Sequence, residues 1–247
     1  LEEGSKSKTE FVFFIAHQLR APLSAVRLSF LMFRDGDLGK VSSRQKEILE
    51  ADIKELDSLL GTIESLLDIP RIEQRQLSFD KEVMSLEKFL SLVENLLKDF
   101  LPSTKQKDIS FDYTVPSIER KIFLELDWDK VKQVLENLFD NALHYTKSNG
   151  QISLNIKIEK GFLVVSLSDS GIGIPKLEQA NIFQKFYRAS NARALSSKGT
   201  GIGLYLAKFM VESHGGKIWF DSQESQGATF YFSLPLRGDV EEFLKNI

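Results

Sequence analysis

The chain has 247 residues, 42% of them hydrophobic, a formal net charge of −3 and no cysteine, which suits one large or two modest globular domains. It offers no basic surface for nucleic acid and excludes disulfides and thiolate metal sites, a usage that fits the cytosol. No apolar run approaches the roughly 18 residues of a membrane helix, and the polar start Leu1-Glu2-Glu3-Gly4-Ser5-Lys6 reads as a linker rather than a signal peptide, so any sensor or membrane anchor would lie upstream.

Val12, Ala16, Leu19, Leu23, Val26, Phe30 and Phe33 are spaced alternately four and three apart, the seam of helices packed in a bundle. Asp35 to Gly39 breaks the pattern with two glycines. Ser42 or Ser43 can then cap a second helix, in which Leu49, Ile53, Leu56, Leu60, Ile63 and Leu67 repeat the spacing and Leu59 and Leu66 widen the stripe. Pro70 is expected to stop that helix, because proline lacks an N–H and disfavours helix in the residue before it. Phe11, Phe13, Phe14, Leu28 and Leu31 lie off the first seam. Two such wide apolar faces cannot be buried by pairing once, so a homodimer forming a four-helix bundle is expected. His17 lies one residue past the seam, on the flank of that bundle, and Pro22 takes the partner of the Gln18 carbonyl and predicts a bend just past His17.

From Gln76 the pattern changes. Residues 77–79 and 81–83 suggest a strand, and Ser85 can cap a helix to about Leu101, with Pro102 at or just past its end. Residues 109–115 alternate like a half-buried strand, and 122–126 read as another. Asp127 caps a helix whose apolar positions Val131, Val134, Leu135, Leu138 and Leu143 follow helical spacing. Asn137 and Asn141 stand one turn apart on one face. Asparagine is a poor residue inside a helix, so two in register are either surface amides or oxygen ligands for Mg²⁺ and donors to phosphate. Strands at 151–158 and 162–168 follow, the second running into Asp169-Ser170-Gly171-Ile172-Gly173. Asp169 at the strand end can accept a hydrogen bond from a buried amine; alone, this would be only a turn.

Ile182 to Arg188 carries Phe183 and Phe186, expected to pack, and Arg188, a cation suited to phosphate. Residues 189–198 are polar and serine-rich, as a mobile lid would be. Gly199-Thr200-Gly201-Ile202-Gly203-Leu204 then opens a helix and aims backbone N–H groups at phosphate; no Lys-Ser/Thr pair follows, so this is not a P-loop. His214 ends that helix as a structural cap, with Gly215 or Gly216 in the left-handed conformation. Residues 217–221 and 228–234 make a closing hairpin, and 238–247 are a loose end or short helix.

The stretch Phe14-Ile15-Ala16-His17-Gln18-Leu19-Arg20-Ala21-Pro22-Leu23 resembles the phosphoacceptor box of bacterial two-component histidine kinases. Asn137 to Thr146, Asp169 to Gly173, Phe183 to Arg188 and Gly199 to Gly203 resemble that family's N, adenine, F and glycine boxes, in the family's order and across nearly the whole chain. The resemblance implies an α+β fold: a hairpin over 1–72 that dimerises, then a two-layer α/β sandwich over 76–237 that binds ATP. It implies that His17 accepts a phosphoryl group from ATP, with Gln18 and Arg188 in the catalytic set, and passes it to an aspartate on a response-regulator receiver domain. Asn137, Asn141, His144, Tyr145, Asp169, Gly171, Gly173, Lys185, Gly199, Thr200, Gly201, Gly203 and Leu204 would line the nucleotide site, Asn141 holding Mg²⁺ and Asp169 taking the adenine amine. The chain would be cytoplasmic, or the cytosolic part of a membrane-bound sensor.

The chain departs from the family at three places. Gln18 stands where an acid usually follows the histidine; an amide is no base at pH 7, and losing a general base costs about 10²–10⁴ in rate. Ala21 replaces the Thr or Asn that orients water for dephosphorylating the regulator, so little phosphatase activity is expected. His144 stands where many members carry Lys beside the phosphates; it either donates one hydrogen bond there or faces solvent. These changes favour a competing reading, a degenerate kinase that only docks partners, whereas the complete ATP-site motifs favour the enzyme. A conformational ATPase of the chaperone kind is disfavoured by the His17 hairpin, and because Glu136 lies about 100° around the helix from Asn137.

Overall fold

The computed structural model describes residues 2–117, 121–196 and 199–237, with side chains from Phe13 onward. The chain divides into two compact units, one ending at Ser78 and the other beginning at Phe79.

The first unit is a hairpin of two long helices, α1 (Glu2–Asp35) and α2 (Ser43–Glu73). Ser42 caps α2: its hydroxyl accepts from the Gln45 N–H, and the Gln45 side chain accepts from the Ser42 N–H at 2.8 Å, so two orphan donors are satisfied together. Arg20 pairs with Glu64 at 2.6 Å, and Arg27 pairs with Asp57. Both pairs are exposed, worth less than about 1 kcal/mol each, and they mark the antiparallel register. The hairpin core is Ala16, Ile63 and Leu67, flanked by Leu23 and Leu66. The side chains of the expected residues Phe11 and Val12 lie outside the described ones.

Pro70 does not stop its helix as expected: α2 runs through it to Glu73. Pro22 lies inside α1, as expected. An interior proline costs about 3 kcal/mol, but the helix continued past Pro70 places Ile72 at 7% exposure, and burying such a side chain returns about 1.5–3 kcal/mol.

The second unit begins with β1 (Glu82–Ser85), so Leu77 to Phe79 form no strand. Ser85 caps α3 (Leu86–Gln106), accepting from the Lys88 N–H, and this helix also continues past its proline, Pro102. There the Thr104 hydroxyl donates to the Leu101 carbonyl at 2.9 Å. β2 (Ser110–Thr114), β3 (Phe123–Leu126), α4 (Trp128–Tyr145), β4 (Gln151–Glu159) and β5 (Phe162–Asp169) follow. After a 3₁₀ turn (Lys176–Asn181) come α5 (Ser190–Leu195), α6 (Gly203–Ser213), β6 (Ile218–Gln223) and β7 (Gly227–Arg237). The tail from Gly238 to Ile247 lies outside the described residues.

The seven strands form one sheet in the order β1-β3-β7-β5-β4-β2, with β6 also on β7. β2 and β4 run parallel and the other pairs antiparallel. Register aligns Leu154 with Leu167 and Leu167 with Phe230, so one face presents a continuous apolar layer. α3, α4 and α6 pack against the sheet and α4 against both other helices, giving the two-layer sandwich. On strands β6 and β7, Trp219 stacks on Tyr231 with ring centres 5.3 Å apart.

His214 pins the two helices that matter most. It is 4% exposed; its Nε2 accepts from the Asp127 N–H at 3.0 Å and its Nδ1 lies 2.7 Å from the Met210 carbonyl. The acceptor role of Nε2 puts the proton on Nδ1, so the ring is neutral, and burial lowers its pKa. It joins the end of α6 to the cap of α4 as a neutral bridge, not as a charge on a helix dipole. Gly215, at φ +76°, supplies the left-handed cap that follows it.

Candidate active site

α4 is built to present one polar edge. Asp127 caps it by accepting from the Lys130 N–H, and Val131, Val134, Leu135, Leu138, Phe139 and Ala142 are buried. Asn137, Asn141, His144 and Tyr145 are left half-buried along its later turns. The His144 ring meets the Tyr145 ring edge-on at 4.9 Å.

Asp169 closes β5 against this helix. Its Oδ1 accepts from the Gly171 N–H at 2.8 Å. Burial pushes its carboxyl up from 3.8 to about 6, against the pull of the Gly171 and Ala228 N–H groups. Gly171 has room for nothing larger: a Cβ there would lie 2.6 Å from the Tyr145 carbonyl oxygen and 2.7 Å from Asp169 Oδ1. Gly173 sits at φ +62°, where a Cβ would meet the Gln223 carbonyl at 2.0 Å. The Asp169–Gly173 turn is thus pressed against the end of α4 on one side and β6 on the other.

The glycine-rich turn reaches the other motifs. A Cβ on Gly203 would lie 2.8 Å from Asn137 Oδ1, so the first residue of α6 abuts the α4 carboxamide. A Cβ on Gly201 would lie 2.6 Å from the Tyr187 carbonyl, so its backbone touches the Phe183–Arg188 segment directly. A Cβ on Gly199 would lie 3.6 Å from the Arg188 guanidinium. No side chain caps α6, which leaves its first N–H groups to a ligand or solvent. Thr200 is exposed and Leu204 half-buried in this stretch. Asn137 Nδ2 and Thr146 Oγ1 are buried polar atoms with no hydrogen-bond partner among the described residues.

The segment that follows the 3₁₀ turn is anchored by Phe183, whose ring meets Phe220 at 5.9 Å. Phe186 holds φ +63°, a costly conformation for an aromatic residue. Lys185 is half-buried between them. Arg188 donates to the carbonyls of Ala192 at 3.2 Å and Ser196 at 2.8 Å. The expected lid is not a plain loop: α5 occupies Ser190–Leu195, while Ser197 and Lys198 lie outside the described residues. The helix forms because Glu178, twelve residues upstream, acts as a remote cap, its Oε2 accepting from the Ser190 N–H at 2.8 Å. Glu178 also accepts from the Tyr187 hydroxyl at 2.8 Å and from Ser190 Oγ; these bonds, that from Ser190 foremost, hold its carboxyl below its ordinary pKa.

In the hairpin, His17 is exposed next to the buried Ala16, with the Phe13 ring centre 6.3 Å from its own, and Gln18 is exposed too. Sequence reasoning missed Glu178 and Asn191, which act through contacts with no local pattern.

Two family models match. Residues 7–75 match the His Kinase A (phospho-acceptor) domain, and residues 126–238 match the histidine kinase-, DNA gyrase B- and HSP90-like ATPase. This chain belongs to the two-component histidine kinases. The kinase core is 32% identical over 243 residues to the sensor histidine kinase WalK of Bacillus subtilis, covering 98% of this chain and 39% of that one. It thus spans about two fifths of that relative's length. The catalytic domain of the histidine kinase ThkA is 29% identical with a TM-score of 0.53, over 64% of this chain and 96% of that one. Full-length ShkA in complex with AMPPNP covers 93% of this chain and 46% of that one at a TM-score of 0.68; at 23% identity it speaks to fold alone. Among the described residues no helix is long and apolar enough to cross a membrane.

Proposed function

We propose that the kinase core binds ATP between α4, the Asp169–Gly173 turn and the Gly199–Gly203 turn, and transfers its γ-phosphoryl group to His17. The observation that carries this reading is the buried Asn137 carboxamide: its Nδ2 has no hydrogen-bond partner among the described residues, and its Oδ1 lies where Gly203 opens α6. A phosphate oxygen is the acceptor that such a donor and a helix N-terminus would share. Asp169 accepts the adenine amine; with its pKa near 6 it is mostly ionised at pH 7 and forms a charge-assisted bond. Gly171 and Gly173 let the turn pack against the Tyr145 and Gln223 carbonyls and so hold Asp169 at the base, while Tyr145, His144 and Lys185 complete the walls. Gly199, Thr200, Gly201 and Leu204 place N–H groups on the phosphate side, and Arg188 supplies positive charge there.

Asn141 offers one neutral oxygen toward the phosphates, enough for an ion whose other ligands are phosphate oxygens and water. Mg²⁺ held there would neutralise charge on the triphosphate.

His17 attacks as neutral imidazole: a P–N bond forms, the bond to the β-phosphate oxygen breaks, and ADP leaves. Gln18 can accept a hydrogen bond from the ring but cannot take its proton, so solvent does, and the step is slow. The phosphoimidazole then yields its phosphoryl to an aspartate of a receiver domain, restoring neutral His17. The hairpin works as a homodimer, because in a single chain Phe14 and Leu28 are each 59% exposed and the seam residues Leu19, Val26 and Phe33 more than 40%. ATP supply puts this core in the cytoplasm.

The test is incubation with labelled ATP and Mg²⁺, wild type beside His17→Ala, followed by acid. Acid-labile label that vanishes in the variant is the expected result. Bound nucleotide without label would favour the docking module, and label that survives the substitution would mean another phosphoacceptor.

A further inference from the structure

Asn191, in the first turn of α5, reaches back to the turn that begins with Asp169. Its Nδ2 donates to the Gly173 carbonyl at 2.9 Å and lies 3.4 Å from the Ile172 carbonyl. Its Oδ1 accepts from the Ala192 N–H at 2.9 Å, so both ends of the amide are used. Glu178 holds the same helix at its start through the Ser190 N–H and hydroxyl, and holds the residue before Arg188 through the Tyr187 hydroxyl. Arg188 is therefore bracketed: Tyr187 and Ser190 on either side are tied to Glu178, and its own guanidinium donates to the Ala192 and Ser196 carbonyls of the α5 segment. The guanidinium also borders Gly199, the first residue of the glycine-rich turn.

We propose that Asn191 is a positioning residue that couples the Asp169–Gly173 turn to Arg188, and so sets the preference of the site for a nucleoside triphosphate over a diphosphate. The inference rests on the nucleotide reading above and deepens it. A base seated on the Asp169–Gly173 turn fixes the Ile172 and Gly173 carbonyls. Asn191 hands that fixed point to α5, and α5 holds Arg188 where a terminal phosphate would lie. Without the amide, α5 keeps its Glu178 anchor but loses its tie to the base turn, and the guanidinium no longer has one place to stand. Placement at the level of about 1 Å decides such contacts.

The experiment is calorimetric binding of AMPPNP and of ADP, each with Mg²⁺, to the full chain. Wild type, Asn191→Ala, Arg188→Ala and the double variant are compared, with Asn191→Asp as a second substitution that keeps the size but cannot donate. Wild type should prefer the triphosphate by about tenfold or more, the worth of one charge-assisted contact. Asn191→Ala and Asn191→Asp should keep ADP affinity within threefold and lose most of the preference. The double variant should be no worse than Arg188→Ala alone, because the two residues act as one unit. Additive losses, a preference that survives in Asn191→Ala, or parallel loss of both nucleotides in the variants would overturn the proposal; the last would mark a merely structural role. A wild type that binds both nucleotides alike would also overturn it. A wild type that binds neither would instead sink the nucleotide reading itself.

Discussion

Asp169→Asn should separate what the site does from what it costs. The carboxyl's pKa rises from 3.8 to about 6 on folding, chiefly through burial. At about 1.4 kcal/mol per unit, holding it charged in the folded state costs about 3 kcal/mol. Asparagine has the same shape and its Oδ1 can still accept from the Gly171 N–H, but it carries no charge to desolvate. Its Nδ2 needs an acceptor in return, so the net gain is about 1–3 kcal/mol. The sign with pH follows from linkage. A carboxyl whose folded pKa is raised contributes most below its unfolded value and loses that contribution as pH rises from about 4 to about 6. The variant's advantage should therefore be full above about pH 6 and vanish toward pH 4. Thermal unfolding of both proteins from pH 4.5 to 8 measures it, with a rise in Tm of about 2–12 °C expected at pH 7.5. The same variant should bind ATP about 10–100-fold more weakly, for want of the charge-assisted bond to the base amine. A variant less stable than wild type at pH 7.5, or a difference that does not move with pH, would refute the reasoning.

Three further outcomes are expected. His214→Ala strands the Asp127 N–H and leaves a cavity at a site 4% exposed, while the Met210 carbonyl keeps the backbone N–H of residue 214; the loss should be about 2–4 kcal/mol in chemical or thermal unfolding. Its lowered folded pKa means that the wild type loses stability as pH falls below about 6.5; wild type minus variant should shrink over that range and stay level above it. Gln18→Glu restores a base beside His17 and should raise the single-turnover rate of histidine phosphorylation by about 10-fold or more, up to the 10²–10⁴ typical of a general base; an unchanged rate would show that solvent already suffices. Leu19→Glu, at a seam position 45% exposed in the single chain, should shift sedimentation from dimer to monomer at micromolar concentration. A wild type that sediments only as monomer would remove the bundle from the account.

Local patterns reach far in this chain. The caps Ser42, Ser85 and Asp127 stand at their helix starts, because a capping hydroxyl or carboxylate acts within its own first turn. The alternation that places Leu154, Leu167 and Phe230 in one layer is a property of each strand alone. The motif residues of the site were legible too, since Asp169, Gly171, Asn137 and the Gly199–Gly203 turn each sit on the element their neighbours imply. The failures share a cause. Pro70 and Pro102 lie inside helices; for Pro70 the local penalty is legible in the sequence, whereas the burial of Ile72 that offsets it is not. α5 forms in a serine-rich stretch because Glu178 caps it from twelve residues away.

Most of the elements, most of their starts and the chemistry each motif can bring follow from the sequence, because those depend on residues within a few positions of one another. That Gly203 meets Asn137, that Gly201 presses on Tyr187, that His214 accepts from the cap of α4 and that Asn191 reaches Gly173 follow from the tertiary fold alone. These are contacts between backbones and side chains brought together by the sheet, and their ångström-scale distances set which glycine is irreplaceable, which histidine stays neutral and which buried amide has no donor partner among the described residues.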